Sequence, residues 1–141
     1  MSKIKFDIET IKIMSLFEAI TRAKLKDCII NKEAGQITFV VEENEIGKAI
    51  GKNASNIKIL EQKLNKRIKI VEFSKNIVQF ARNLAYPLRL GDITFENSIM
   101  AINGQDVKTK GLLIGRNSQN LKSLTENMQR YYKELKEIKV I

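Results

Sequence analysis

Apolar and polar residues are spaced along the first half of the chain in a way that predicts six elements. Ile13, Phe17 and Ile20 recur at positions i, i+4 and i+7, which is the spacing of one face of an amphipathic helix. Two β-rich runs follow, and Glu33-Ala34-Gly35 between them is typical of a hairpin turn. Farther on, a short helix leads into a turn at Gly51. The predicted elements are helix 8–25, strand 28–30, strand 36–41, helix 45–50, helix 55–65 and strand 66–73.

The second half repeats the order helix, strand, strand, helix, helix, strand. Ser74 is a good N-cap, so a helix is predicted to begin there and to stop before Pro87. After a turn at Gly115, a long helix is predicted because five apolar residues share one face: Leu121, Leu124, Met128, Tyr131 and Leu135. The other predicted elements are strand 92–96, strand 98–102, helix 107–114 and strand 136–141.

An internal repeat links the two halves. Residues 49–60 read AIGKNASNIKIL and residues 113–124 read LIGRNSQNLKSL, with identical residues at six of the twelve positions and an offset of 64 residues. Two copies of one supersecondary unit explain this similarity better than chance does. We therefore predict two domains, residues 1–73 and residues 74–141, with the last strand of the second copy displaced by a longer preceding helix.

The charge of the chain indicates which kind of partner it binds. Its 25 basic and 16 acidic residues give a net charge of +9, and the excess is spread over both halves, with 14 basic against 10 acidic residues before Ser74 and 11 against 6 from there on. A folded and evenly basic protein favours a polyanionic partner, most often nucleic acid. A basic but merely solvated surface is the alternative.

Catalysis, metal binding and membrane insertion find no support in the composition. There is no histidine, so the commonest general base and metal ligand is absent, and the one cysteine, Cys28, makes neither a zinc site nor a disulfide. Cys28 is expected to be a small buried apolar residue. No apolar run approaches the roughly 18 residues that span a bilayer, and charges interrupt the N-terminus at once. We predict a soluble cytoplasmic protein that is not an enzyme and has no cofactor and no small-molecule substrate.

The repeated segment resembles a known family. Residues 50–57 read IGKNASNI and residues 114–121 read IGRNSQNL, and within the order α-β-β-α-α-β both resemble the signature I-G-x-x-G-x-x-I of the prokaryotic type of KH domain. Two such domains with almost nothing else are similar to the short archaeal form of the transcription factor NusA. This resemblance implies an α+β fold in which each domain packs a three-stranded sheet on its helices. It also implies single-stranded RNA as the ligand, RNA polymerase as a partner, and a role in transcription termination or antitermination.

The physical chemistry of the repeated turn agrees with that ligand. A glycine turn lets the backbone approach a phosphate, and the N–H groups and positive dipole end of the following helix attract it. Lys52 and Arg116 supply the countercharge. An apolar groove is expected beside each turn, with strand 37–41 on one side of the first groove and strand 99–102 beside the second, and with Ile46 and Leu113 as further lining residues. The candidate RNA-binding residues are Ile50, Gly51, Lys52, Asn53, Ala54, Asn56, Ile57, Lys58, Ile114, Gly115, Arg116, Asn117, Ser118, Asn120, Leu121 and Lys122.

The pattern departs from the family at one position. Its second glycine is Ala54 in the first copy and Ser118 in the second, and either residue is strained if the turn requires a positive φ there. Other readings therefore stay open. The chain is alternatively a scaffold that docks on RNA polymerase or on a ribonucleoprotein, or a helix-turn-helix DNA-binding protein. Gly51 and Gly115 are alternatively simple helix caps.

Overall fold

The structure, a computed structural model, describes residues 6–141. Its contacts divide the chain into two compact units, the first ending at Ser74 and the second beginning at Lys75. Each unit packs a three-stranded sheet on helices, so the predicted α+β architecture is confirmed. Among the described residues, no helix is both long and apolar enough to cross a membrane.

The first unit begins with a capped helix. The Asp7 carboxylate accepts a hydrogen bond from the Thr10 N–H at 2.7 Å, which starts the helix at Ile8. The helix ends at Thr21, four residues earlier than predicted, because Arg22 adopts a left-handed conformation with φ of 58°. The elements of this unit are α1 (Ile8–Thr21), β1 (Leu25–Asn31), β2 (Gln36–Val41), α2 (Ile46–Ile50), α3 (Ser55–Leu64) and β3 (Arg67–Glu72).

The sheet of the first unit has the order β1-β2-β3. β1 and β2 form an antiparallel hairpin, whereas β2 and β3 are parallel because α2 and α3 form the crossover between them. In the middle of the sheet, Phe39 lies opposite Cys28 on one side and Ile70 on the other. The Phe39 ring stacks on Phe17 of α1 with centroids 4.3 Å apart, and Leu60 of α3 joins the same core. Cys28 is buried, as predicted.

The second unit repeats the element order with a different cap. Asn76, and not the predicted Ser74, is the N-cap of the first helix, since its side chain accepts from the Gln79 N–H at 3.0 Å while its backbone is extended. This helix ends at Ala85, before Pro87 as predicted. The elements are α4 (Ile77–Ala85), β4 (Ile93–Glu96), β5 (Ile99–Ile102), α5 (Val107–Ile114), α6 (Gln119–Gln129) and β6 (Glu137–Val140).

The prediction of a long helix after Gly115 is wrong in the length of that helix. α6 ends at Gln129 and is only one residue longer than α3, with 11 residues against 10. The chain then turns, and the N–H groups of Tyr131 and Tyr132 both bond to the Met128 carbonyl. The two tyrosine rings flank Phe80, with centroids 5.3 and 6.1 Å away, and Leu135 is buried. The turn therefore places inward the same apolar residues that suggested a helical face.

The sheet of the second unit has the order β4-β5-β6 and the same mixed pattern. β4 and β5 are antiparallel, and β5 and β6 are parallel. Asn97 and Ser98, with φ of 53° and 68°, form the two-residue turn between β4 and β5, as a tight hairpin requires. Met100 lies in the centre, paired with Phe95 and Ile138, and is fully buried.

Candidate nucleic-acid interface

Each unit carries one glycine loop between two helices. The first loop, Gly51–Ala54, joins α2 to α3, and the second loop, Gly115–Ser118, joins α5 to α6. Gly51 has φ of 77° and ψ of 172°, and Gly115 has 76° and 172°, a combination open essentially to glycine alone. The sequence repeat is therefore also a repeat of backbone conformation.

The position of the family's second glycine is left-handed in both loops. Ala54 has φ of 59° and ψ of 29°, and Ser118 has 60° and 21°. The residue before each, Asn53 and Asn117, is left-handed too, with φ of 56° and 55°. A side chain with a Cβ is disfavoured in this conformation by about 1–2 kcal/mol. The strain that the sequence raised as a condition is thus present in both loops.

Ser118 does not offset this strain by capping the helix that follows. It stands at the N-cap position of α6, but its side chain makes no capping hydrogen bond, and neither does that of Ala54 at the start of α3. An N-cap residue normally has an extended backbone, and these two residues are left-handed. Ser118 therefore forms no side-chain cap on α6.

The charged side chains of both loops are accessible. Lys52 and Lys58 are exposed in the first unit, and Arg116 and Lys122 are exposed in the second. No acidic residue occurs in residues 47–60 or in residues 111–124. Each loop is therefore a locally positive surface at the N-terminal end of a helix, which is the arrangement that attracts a phosphate.

Asn56 and Asn120 are directed toward the backbone. The side-chain amide of Asn56 donates to the Lys48 carbonyl at 3.1 Å, and that of Asn120 donates to the Leu112 carbonyl at 2.8 Å. Each bond therefore joins the helix before a loop to the helix after it. The sequence placed both residues among the RNA-binding candidates and did not predict that they join the two helices. The signal for this role is that the same residue type stands five residues after the glycine in both copies.

The same asparagines explain why the first loop position is glycine. A Cβ built on Gly51 would lie 2.9 Å from the Asn56 Nδ2 atom, and one built on Gly115 would lie 2.6 Å from the Asn120 Cγ atom. Real Cβ atoms do not approach other heavy atoms that closely. The conformation thus requires glycine at both positions, and a Cβ there would also displace the asparagine side chain.

The predicted apolar grooves are smaller than expected. Ile37, Phe39 and Val41 of β2 are buried, as is Leu113 in the second unit, so these side chains belong to the cores. Strand residues were assigned to the groove because alternation does not reveal which face of a sheet the helices cover. The apolar candidates that are only half-buried are Ile46, Ile50 and Ile57 in the first unit and Ile99, Ala101, Ile114 and Leu121 in the second.

The two loops differ at one exposed position. Residues 48 and 112 occupy equivalent places, since their carbonyls accept the asparagine bonds. The first unit has Lys48 there, with its Nζ atom 3.9 Å from the Glu45 carboxylate and 56% of its side chain exposed. The second unit has Leu112, which is 50% exposed. A cation beside one loop is thus replaced by an aliphatic side chain beside the other.

No metal centre accompanies these loops. Within residues 6–141, no three histidine, cysteine, aspartate or glutamate side chains lie close enough together to hold a metal ion. The chemistry available at both loops is therefore that of backbone N–H groups, cationic side chains and aliphatic surface.

Comparison with known proteins identifies the family. A family model described as the KH domain matches residues 12–83, a range that contains the first loop and ends within α4. The chain belongs to the KH-domain family.

Its curated relatives are archaeal proteins named "Probable transcription termination protein NusA". The protein from Methanocaldococcus jannaschii is 31% identical over 144 residues, covering 100% of this chain and 77% of the relative. The protein from Thermoplasma acidophilum is 30% identical, covering 94% of this chain and 92% of the relative.

A solved structure has the same fold along nearly the whole chain. The crystal structure of APE1850 is 25% identical to this chain and superposes with a TM-score of 0.75, covering 96% of this chain and 100% of that one. The resemblance to the short archaeal form of NusA, drawn from the I-G-x-x-G-x-x-I pattern, is thus confirmed.

Proposed function

We propose that this protein binds single-stranded RNA through two tandem KH domains, residues 1–73 and residues 74–141. The observation that carries the proposal is the exposed, positively charged glycine loop, which recurs in the second unit with the same backbone conformation. KH domains clamp about four nucleotides of a single strand with this loop. The match to the KH family supports the assignment for the first unit, and the repeat extends it to the second.

In the first unit, the proposed clamp has three parts. Gly51 lets the backbone approach the sugar-phosphate chain, since a side chain there would block it. The N-terminal end of α3, where the helix dipole is positive, attracts a phosphate oxygen. Lys52 supplies a charge-assisted contact from inside the loop. Lys58 lies in the first turn of α3. The half-buried Ile50 and Ile57 provide an aliphatic surface for a base.

In the second unit, the corresponding parts are Gly115, the start of α6, Arg116 and Lys122. Arg116 differs from Lys52 in that its planar guanidinium can bond two phosphate oxygens at once. Covalent linkage of two weak sites raises the overall affinity for a strand that engages both, with no new contact needed. The two loops are therefore proposed to act on one RNA molecule.

The biological role follows from the relatives. Proteins that are 30–31% identical to this chain over most of its length bear the name of a transcription termination protein. We infer that this protein acts on nascent RNA in termination or antitermination, in the cytoplasm, with RNA polymerase as its protein partner. It has no catalytic role in this account.

Charge reversal inside the loops tests the proposal. Lys52→Asp and Arg116→Asp should each weaken binding of a labelled single-stranded RNA by at least tenfold, because each replaces a phosphate contact by a repulsion. Lys133→Asp is the matched control, since it makes the same charge change at an exposed residue of the turn after α6. Equal weakening by all three variants would show that only net charge matters. Loss of the thermal unfolding transition in the loop variants would show that the loops have a structural role.

A further inference from the structure

Both loops hold a conformation that their residues do not favour. Ala54 and Ser118 are left-handed, and each follows a left-handed asparagine, so two consecutive residues with a Cβ have positive φ in each loop. The family pattern relieves this strain with a second glycine. In this chain that second glycine is absent from both loops.

Asn56 and Asn120 provide an interaction of the right kind. Each side-chain amide donates across the loop to a carbonyl of the preceding helix, at 3.1 Å to Lys48 and at 2.8 Å to Leu112. The carbonyls of the last helical turn have no partner within their own helix, so each bond also satisfies an acceptor that would otherwise depend on water. The bond closes the seven residues between its ends into a fixed ring.

We propose that Asn56 and Asn120 are positioning residues that hold the two loops in their RNA-binding conformation in place of the second glycine. This inference rests on the proposed function for its consequence, which is RNA affinity. The affinity of a loop falls in proportion to the fraction of molecules in which it is correctly folded. Loss of the asparagine bond lowers that fraction, although the asparagine touches no RNA.

A direct contact between these asparagines and RNA makes a different prediction. A direct contact is lost in any background when the side chain is removed. A positioning role matters only while the loop is strained, so it should disappear when Ala54 and Ser118 are replaced by glycine. The two roles therefore differ in whether the substitutions are additive.

The experiment is a double-mutant cycle in the full chain. One pair of substitutions is N56A with N120A, the other is A54G with S118G, and the fourth protein carries all four. The probe is a labelled single-stranded RNA of mixed sequence, followed by fluorescence anisotropy. N56A with N120A should weaken binding about fivefold for each loop that engages the RNA, the equivalent of about 1 kcal/mol. In the glycine background, the same pair should weaken binding less than about twofold on the same scale.

Hydrogen exchange provides a readout that needs no RNA. The Ala54 and Ser118 amides bond to the Gly51 and Gly115 carbonyls at 3.2 Å within the loops. N56A with N120A should accelerate their exchange, while the buried amide of Phe39 should be unaffected. If the alanine pair does not fold, Asn→Ser at the same positions is used for both measurements.

Each outcome decides a separate point. An equal loss of RNA affinity in both backgrounds would overturn the positioning role in favour of direct contact. Unchanged affinity and unchanged exchange at Ala54 and Ser118 would show that the loops need no such support. Failure of the unmodified protein to bind RNA would refute the proposed function alone, because the exchange measurement would still decide whether the asparagines hold the loops.

Discussion

Replacement of Ala54 by glycine should stabilise the protein, although the same change usually destabilises a helix. Ala54 is left-handed, with φ of 59° and ψ of 29°. Relief of the Cβ crowding in that conformation is worth about 1–2 kcal/mol. Glycine is more flexible in the unfolded chain, which costs about 0.5–1 kcal/mol. The difference favours the folded state of the Ala54→Gly variant by about 0.5–1 kcal/mol.

Thermal unfolding followed by circular dichroism measures this difference. A gain of that size should raise the midpoint by about 2–8 °C for a unit of this length. Ala19→Gly is the matched control, because Ala19 lies exposed inside α1 with no special backbone requirement. That variant should be destabilised by about 1 kcal/mol. Destabilisation of both variants to the same extent would show that Ala54 does not occupy a left-handed position.

Further predictions concern the second unit and the position that distinguishes the loops. Asp106 accepts from the Thr109 N–H at the start of α5, and chiefly this backbone bond lowers its pKa, so its stabilising effect should be lost as the pH falls through that lowered pKa. The Asp106→Asn variant keeps an acceptor for the Thr109 N–H but has no group that titrates in this range. Between about pH 6 and pH 3, the unfolding midpoint should therefore fall more in the unmodified protein than in this variant. Gly115→Ala should lower both the unfolding midpoint and the RNA affinity, because its Cβ collides with Asn120; a variant that binds RNA normally would contradict this. Lys48→Leu should make the salt dependence of RNA binding shallower, and Leu112→Lys should make it steeper, each by about 0.7 in the slope of log affinity against log salt; unchanged slopes would place residues 48 and 112 outside the interface.

Much of the fold follows from short-range patterns. The i, i+4, i+7 spacing of Ile13, Phe17 and Ile20 predicted α1, and the β-rich run of residues 36–41 predicted β2 with its observed bounds. Helix α5 was predicted with its observed bounds because Gly115 marks its end so clearly. These elements are determined by residues close in sequence, so a sequence alone is sufficient to find them.

The errors arose where a local pattern had two structural solutions. Ser74 and Asn76 are both good N-caps, and the choice depends on where the chain leaves β3. Tyr131 and Leu135 continue the helical spacing of α6, yet the chain turns after Gln129, which leaves Tyr131 half-buried and buries Leu135 in the core. Tertiary packing decides such cases, and no single segment contains that information.

The candidate site was only partly predictable for a related reason. The glycines and cations of both loops stand out in the sequence because they are repeated. The roles of Asn56 and Asn120 do not, since their bonds reach carbonyls eight residues earlier in the chain. Likewise, the burial of Ile37 and Phe39 depends on which face of the sheet the helices cover.

The central claim is that the two glycine loops bind single-stranded RNA. Its most direct test is the binding of labelled single-stranded RNA, single-stranded DNA and duplex DNA to the unmodified protein, measured by fluorescence anisotropy across a salt series. The protein should prefer single-stranded RNA, with log affinity falling linearly in log salt by about 0.7 for each phosphate neutralised. Preference for duplex DNA would instead favour a helix-turn-helix mode of binding. Absence of binding to all three would contradict an RNA-binding role for the loops and would favour a protein-interaction scaffold.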